Sequence, residues 1–266
     1  MAFSLTWLPE VLMNAGLKVA ESPGWQDRGH GDMGEVKGIL CHHTATPGKN
    51  SGNMPTLKTL INGRPDLSGP LSQLGLGRDG TYYIIAAGKC NHAGGGKWQG
   101  IATGNSNFIG IEAENTGGRD DTPWPTIQVD AYHRGVAAIL KHIGKGAEFC
   151  AGHKEYALPP GRKSDPDFDM NAFRSSVSDI LNGVAPAPEL IPVAAPPTAD
   201  RPARATLRRG INNNPELVKI VQTKLGLNAD GSFGPKTEAA IRAFQSQHGV
   251  VPDGIVGPKT WLMIDP

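Results

Sequence analysis

Apolar residues recur at two different spacings along the first two thirds of the chain. Short apolar runs bounded by glycine or polar residues are typical of strands, and they occur at residues 36–40, 82–87 and 108–113. Apolar residues three and four positions apart are typical of amphipathic helices, and this spacing covers residues 126–143 and 171–181. Strands mixed with helices predict an α/β or α+β domain with a central sheet. Of the two we expect the α/β class, with a central mixed sheet flanked by helices.

Two long stretches of this domain lack a clear period. Residues 48–78 and 94–107 are expected to be loops, of a length that usually serves a site or is mobile. The first twenty residues favour a short amphipathic helix. Pro9 and nearby polar residues interrupt the apolar run, and no basic stretch precedes it, so neither a signal peptide nor a membrane span is predicted. We therefore expect a chain made in the cytoplasm that does not insert into membranes.

Proline then separates this domain from the end of the chain. Residues 184–205 contain six prolines among many alanines. This composition removes backbone donors that helices and sheets need, and it favours an extended, semi-rigid spacer. The sequence thus predicts a domain at residues 1–183, a linker at 184–205 and a second domain at 206–266.

The second domain contains an internal repeat. DGSFGPKT at residues 230–237 recurs as DGIVGPKT at 253–260. Asp-Gly favours a turn, and the following Gly-Pro places proline at the first position of a helix. Apolar spacing predicts helices at 215–225 and 235–248, with a third after Pro258. Two apolar side chains of that third helix are expected to face inward, Trp261 and Leu262. The domain should be small, all-α and built from three helices.

Charge and cysteine content narrow the possible classes of protein. Lys and Arg number 26 and Asp and Glu number 25, so no basic stripe for a nucleic-acid partner is expected. Three cysteines, Cys41, Cys90 and Cys150, cannot form a complete set of intrachain disulfides. They are either buried free thiols or, because each lies near a histidine, candidates for a metal role.

Histidine and carboxylate residues form the first candidate site. His42 and His43 end the apolar run of GILCHHTA, and alternation along a strand turns them to opposite faces, so at most one easily joins a shared site. His153 precedes a loop that contains Asp165. Two histidines and a carboxylate form a three-ligand set that leaves one tetrahedral position open, as hydrolytic zinc requires. A polar surface loop is the alternative. Two further carboxylates of this loop are rival ligands, Asp167 and Asp169.

A second candidate lies in the apolar run NFIGIEAEN. Glu112 and Glu114 fall on the same face of this predicted strand. A carboxylate buried near a metal could serve as a general base, because burial raises its pKa while a cation lowers it. The pattern alone leaves open which of the two glutamates is functional.

Several motifs together resemble known families. The repeat DGSFGPKT and DGIVGPKTW, with the AFQ and HG residues between them, is similar to the type 1 peptidoglycan-binding domain and covers nearly all of residues 206–266. The strand ending in HHTA, followed by RDGTYYIIAAGKCNHAG, IGIEAEN and GHKEYALPPGRKSDP, resembles the type 2 N-acetylmuramoyl-L-alanine amidases. These motifs span about residues 36–170 in the family's order.

The resemblance implies a reaction and a set of residues. It implies cleavage of the amide bond between N-acetylmuramic acid and L-alanine in bacterial peptidoglycan, with Zn²⁺ as the cofactor. It implies metal ligands, two catalytic residues and a residue of the substrate groove: His42, His153 and Asp165 as ligands, Glu112 as the base, Lys163 on the developing oxyanion, and His92 of NHAG at the groove. The loop alignment leaves Asp167 as an alternative to Asp165.

The biological role follows less directly. A chain without a signal peptide that cuts the cell wall favours an endolysin, which acts after its release through a membrane pore or by lysis. We expect a monomer. Two alternatives have the same fold or substrate: a non-catalytic peptidoglycan-binding protein and an endopeptidase that cuts within the stem peptide.

Overall fold

The structure is a computed structural model, and it describes residues 2–46, 52–118, 123–184, 204–248 and 252–264. The chain divides into two compact units. The first consists of Met1–Leu17 and Ser22–Pro186, and the second of Ala187–Pro266 together with Lys18–Glu21. The linker predicted at residues 184–205 lies almost entirely outside the described residues and stays a prediction.

A mixed sheet forms the centre of the first unit. Five described strands of this unit lie in it: β2 (Gly38–His43), β5 (Leu74–Leu76), β6 (Thr81–Ile84), β7 (Phe108–Ala113) and β8 (Cys150–Gly152), while the short strand β1 is Lys18–Glu21. The five lie side by side in the order β6-β5-β7-β2-β8. Strand β6 runs antiparallel to β5, whereas β5, β7, β2 and β8 run parallel to one another. Nearly every residue of these five strands is buried, as is usual for parallel strands covered on both faces.

Amphipathic helices account for much of the remaining core. The long helix α4 (Thr126–His142) packs against α1 (Leu8–Asn14) and against α6 (Met170–Leu181). Their buried residues recur three and four positions apart, as the sequence predicts for helices with one apolar face. The predicted α/β domain with a central mixed sheet flanked by helices is confirmed.

The stretch at residues 48–78 differs from its prediction as a loop. It contains α2 (Leu57–Asn62), the hairpin of β3 (Gly63–Arg64) and β4 (Leu67–Ser68), and the buried strand β5. The stretch at 94–107 likewise ends in the short helix α3 (Gly104–Asn107). The helix α5 (His153–Tyr156) is equally short. Elements of two to six residues are too short to display a period, so the pattern of apolar residues could not reveal them.

The second unit contains three helices in its described part. They are α7 (Pro215–Lys224), α8 (Pro235–Gln247) and α9 (Pro258–Ile264), each beginning at a proline as predicted. Val218, Val221, Ile241 and Trp261 lie in one buried cluster. The side chain of Leu262, predicted to face inward, lies outside the described part of the structure. Among the described residues of both units, no helix is long and apolar enough to cross a membrane.

The sequence repeat is also a structural repeat. The side-chain Nε2 of Gln222 on α7 donates to Asp230, to the Ser232 carbonyl and to Thr237 at 2.8, 3.0 and 3.2 Å. Its side-chain Oε1 accepts from the Gly231 amide. Twenty-three positions later, Gln245 makes the same set of bonds to equivalent residues: Asp253, Ile255, Thr260 and Gly254. Each buried glutamine thus ties a DG turn to the first turn of the next helix.

Candidate metal centre and catalytic groups

Three parallel strands bring distant parts of the chain to one edge of the sheet. In the register of β2 and β7, His42 lies directly beside Glu112. On the other side of β2, Cys41 pairs with Gly152, and His153 follows as the first residue of α5. Because parallel strands point their carboxyl ends to the same edge, all three side chains meet there.

A tyrosine from α4 holds this edge. The Tyr132 hydroxyl accepts a hydrogen bond from the His42 amide at 3.0 Å and donates to the Ile111 carbonyl at 3.0 Å. It therefore joins the ends of β2 and β7 beside the site. Nothing in the sequence distinguishes Tyr132, because on a helical pattern it is one more residue of the apolar face.

Three side-chain atoms converge at this edge. The Nδ1 atoms of His42 and His153 lie 3.0 Å apart, and each lies 3.1 Å from Oδ2 of Asp165. Both histidines are buried, and the side chain of Asp165 is 15% exposed. Among the described residues, these three form the group of His, Cys, Asp or Glu side chains that could hold a metal ion.

The outer nitrogens of the two rings define where the protons lie. His153 Nε2 faces the Ala93 carbonyl at 3.0 Å, and a carbonyl only accepts, so Nε2 carries the proton. His92 Nε2 faces the Phe108 carbonyl at 3.2 Å, which leaves a lone pair on His92 Nδ1. His92 Nδ1 lies 3.2 Å from His42 Nε2 and accepts a hydrogen bond from it, so the proton of the His42 ring is on Nε2.

With one proton on each ring, both Nδ1 atoms present lone pairs to the Asp165 carboxylate. Three acceptors at 3.0 to 3.1 Å repel one another unless a cation lies between them. Two imidazole nitrogens and one carboxylate oxygen are also the donor set that zinc accepts in hydrolytic sites. The residues present therefore fit a zinc ion.

The electrostatics favour the same protonation states. Burial lowers the pKa of His42 to about 4, although Asp165 partly opposes this shift. Burial also lowers the pKa of His92 well below its ordinary value. Burial alone would raise the pKa of Asp165, whereas imidazoles that carry a proton or positive charge toward the carboxylate act in the opposite direction and lower the pKa. At neutral pH the cluster therefore holds neutral His42 and a charged carboxylate, the forms that bind a metal.

The structure separates the two glutamates that the sequence left equivalent. Glu112 Oε1 lies 3.9 Å from His42 Nδ1, and Oε2 has no hydrogen-bond partner in the described part of the chain. Burial, with a further contribution from Asp165, raises the pKa of Glu112 to about 8. Glu114 is fully buried and accepts hydrogen bonds from Thr44 and from the Thr56 amide and hydroxyl, so its oxygens are occupied. Glu112 is the one available for proton transfer.

The rival ligands are engaged elsewhere. Asp167 accepts from the Trp124 indole at 2.8 Å and lies 3.7 Å from His43, on the face opposite His42. Asp169 caps α6 by accepting from the amides of Asn171 and Ala172. The structure thus brings Asp165, and neither Asp167 nor Asp169, to the two histidines.

A cleft of about 380 Å³ opens over the converging atoms. Its lining includes residues of both charges and one predicted substrate-groove residue: Arg64, Glu112, Arg162, Lys163, Asp165 and His92. Lys163 is exposed on the loop after α5. Its charge lowers the pKa of both His42 and Glu112, opposing the effect of burial on Glu112.

The cysteines lie outside the cluster. Cys41, Cys90 and Cys150 are free and buried. The sulfurs of Cys41 and Cys150 lie 3.4 Å apart beneath the sheet edge. None of the three belongs to the group of candidate metal ligands among the described residues.

Two family profiles match the chain, one in each of its two parts. The sequence profile of the N-acetylmuramoyl-L-alanine amidase family matches residues 32–168, and the profile of a peptidoglycan binding domain matches residues 216–264. No curated protein is similar enough to the chain to count as a match.

Solved structures similar to this chain include a catalytic domain, an endolysin and an amidase. The catalytic domain of XlyA is 17% identical, with a TM-score of 0.45 over 60% of this chain and 99% of that one. A mutant endolysin from Bacillus subtilis is 18% identical, with a TM-score of 0.44 over 60% of this chain and 99% of that one. AmiD from E. coli, in complex with a muramyl peptide substrate, is 18% identical, with a TM-score of 0.44 over 92% and 95%. Likeness at this level carries no information about activity.

Proposed function

This chain belongs to the N-acetylmuramoyl-L-alanine amidase family, and from that premise we propose that it hydrolyses the amide between N-acetylmuramic acid and L-alanine with a zinc ion held by His42, His153 and Asp165. The observation that carries the proposal is the convergence of three lone-pair-bearing atoms at 3.0 to 3.1 Å. No arrangement of one proton per ring satisfies all three contacts, whereas one cation does. When bound, zinc supplies a Lewis acid and lowers the pKa of a water molecule to roughly 7.

Glu112 is the proposed general base. Its Oε2 atom has no partner among the described residues, so it can take a proton from the attacking water and later pass that proton to the leaving amine. A pKa raised to about 8 is suited to holding a proton, while a nearby cation favours the charged form that accepts one. The two influences on the pKa of Glu112 oppose each other, so the group can both accept and release a proton.

Lys163 is the proposed stabiliser of the negative charge that develops on the carbonyl oxygen. It lines the same cleft as Glu112 and Asp165 and carries a long, exposed ammonium group. A single donor aimed at a developing oxyanion typically contributes about 3 kcal/mol to the stabilisation of the transition state.

The second unit supplies a separate contact with the polymer. A peptidoglycan-binding domain joined to the catalytic unit raises the effective concentration of the enzyme at an insoluble wall. We propose on this basis that the protein is an endolysin-type lytic enzyme, a monomer that acts on the wall after release from the cytoplasm.

Digestion of purified peptidoglycan tests the proposal. Labelling of new amino groups should reveal N-terminal alanine, and a chelator should abolish its release. New reducing sugar ends would show a glycosidase, and new amino groups on other stem residues, identified by mass spectrometry, would show an endopeptidase. Binding to the wall with no new ends would leave a binding protein only.

A further inference from the structure

We propose that the dipeptide His92–Ala93, clamped by Asn105, is a positioning element that orients both histidine ligands at once. This inference rests on the proposed zinc site and concerns the residues behind it. It also gives His92 a different task from the substrate contact expected from the sequence.

The first contact of this element reaches His42. His92 Nδ1 accepts from His42 Nε2 at 3.2 Å, while His92 Nε2 donates to the Phe108 carbonyl at 3.2 Å. The Phe108 carbonyl thereby determines the proton position on His92, and His92 determines it on His42. A histidine ligand whose outer nitrogen is bound in this way keeps both its tautomer and its ring orientation.

The second contact reaches His153. The carbonyl of Ala93, the next residue, accepts from His153 Nε2 at 3.0 Å. The dipeptide His92–Ala93 therefore supplies the outer hydrogen-bond partner of each imidazole. For His42 the partner is the His92 side chain, and for His153 it is the main-chain carbonyl of Ala93.

Asn105 holds that piece of backbone from behind. Its Oδ1 atom accepts from the amides of both His92 and Ala93, at 3.1 and 2.8 Å. A single amide side chain on α3 thus determines where both outer partners lie, and its oxygen bonds to their backbone and not to either ligand.

The space for His92 is built into the neighbouring strand. A Cβ atom on Gly110 of β7 would lie 2.7 Å from Cγ and 2.8 Å from Nδ1 of the His92 ring. A side chain there would displace the imidazole from His42. His92 is 7% exposed, and both of its ring nitrogens are already bonded. No ring nitrogen remains to recognise a substrate, and this favours the positioning role over a groove contact.

Two substitutions of His92 separate its two bonds. Asparagine places its Oδ1 atom close to the position of Nδ1, so His92→Asn keeps an acceptor for His42 and loses the bond to Phe108. Glutamine reaches the position of Nε2, so His92→Gln keeps the bond to Phe108 and loses the acceptor. We expect His92→Gln to weaken zinc binding about 10- to 100-fold, the usual effect of losing an outer partner, and His92→Asn to weaken it less.

Asn105→Ala tests the clamp without touching His92 or either ligand. Like His92→Gln, it should weaken zinc binding, because the backbone of both His92 and Ala93 loses the hydrogen bond that holds it in place. Asn107→Ala is its matched control on the same short helix, since Asn107 bonds to the Glu35 carbonyl and to Thr103. The control should leave the zinc affinity unchanged.

The experiment measures the zinc dissociation constant of the full chain by competition with a chromogenic chelator. KM and kcat at saturating zinc and thermal unfolding of the metal-free protein accompany it. The expected result is weaker zinc binding in His92→Gln and Asn105→Ala, with KM close to wild type. Unchanged zinc affinity in both variants would overturn the inference. A raised KM with normal zinc affinity would show that His92 contacts the substrate instead. Wild-type protein that binds no zinc would instead overturn the proposed function, and the inference with it.

Discussion

The two glutamines of the second unit and the histidine cluster of the first unit are both buried polar groups. They differ in whether their hydrogen-bonding atoms find partners within the protein. Gln222 and Gln245 bond at both ends of their amides to partners within the protein, at 2.8 to 3.2 Å. The cluster of His42, His153 and Asp165 instead brings acceptors face to face, beside a glutamate oxygen that lacks a partner among the described residues.

This difference separates structure from function. Buried polar groups in folded proteins are normally satisfied, so exceptions require an explanation. In the second unit the repeat satisfies its own polar groups, and the result is a scaffold. In the first unit three acceptor atoms face one another in an arrangement that fits a cation, and the result is a binding site.

The largest expected effect comes from removing a ligand. Asp165→Ala should lower the rate of alanine end-group release by more than about 1,000-fold, because metal catalysis contributes several kcal/mol. In metal-free protein, however, the same change removes one of three mutually repelling acceptors and should not lower the free energy of unfolding. Asp167→Ala is the control and should retain zinc. A strongly destabilised metal-free Asp165→Ala would contradict the comparison.

The next effect concerns the glutamate. Glu112→Gln preserves shape but cannot accept a proton, so kcat should fall about 10²- to 10⁴-fold. Zinc content should stay at the wild-type level, since Glu112 is not a proposed ligand. Elemental analysis and end-group kinetics on the same samples check both points. Loss of zinc in this variant would assign Glu112 to the metal instead.

A smaller loss is expected at the exposed lysine. Lys163→Met removes one charged donor and should lower kcat about 100-fold, the lower end of the effect of an oxyanion donor. The control is Lys141→Met on α4, which does not line the cleft. If both variants lose activity equally, the effect would belong to net charge and not to the site.

Substitutions of the buried glutamines in the second unit should lower stability and leave catalysis unchanged. Gln222→Ala leaves buried partners unsatisfied and should lower the free energy of unfolding of the second unit by about 1–3 kcal/mol. Gln245→Ala should have the same effect, while Gln247→Ala, at an exposed position of α8, should be nearly neutral. Urea unfolding of the full chain measures these changes, and cleavage of a soluble muramyl peptide should be unaffected. Unequal losses at the two repeat positions would show that they are not equivalent.

The last prediction concerns the dependence of stability on pH. The pKa of Glu112 is raised to about 8 from an ordinary value of 4.5, so the folded state holds this proton more tightly than the unfolded state. The stability of metal-free protein should therefore be greatest below about pH 5 and decrease as the pH rises toward 8. Glu112→Gln should lose this decrease, which unfolding in the presence of a chelator can measure. A cation in the site should weaken the effect, because it favours the ionised carboxylate.

Features that repeat or extend over many residues could be predicted from the sequence alone. The apolar spacing was long enough in α4 and α6 to predict both helices. The two copies of DGxxGPKT marked the helix starts of the second unit, because turn and capping preferences act between neighbours in the chain. The family motifs also pointed to His42, His153 and Glu112 without any knowledge of their distances.

Which of several equivalent residues meet depends on the packing of the whole domain and could not be predicted from the sequence. Glu112 and Glu114 share one face of β7, and it is the pairing of His42 with Glu112 across two parallel strands that brings one of them to the site. Asp165 and Asp167 are equivalent by pattern, yet one reaches His42 and the other reaches His43. The carbonyl of Ala93 and the clamp at Asn105 leave no trace in a residue pattern, since every residue has a carbonyl. Strand register and backbone direction depend on packing between segments far apart in the chain, and local preferences do not determine them.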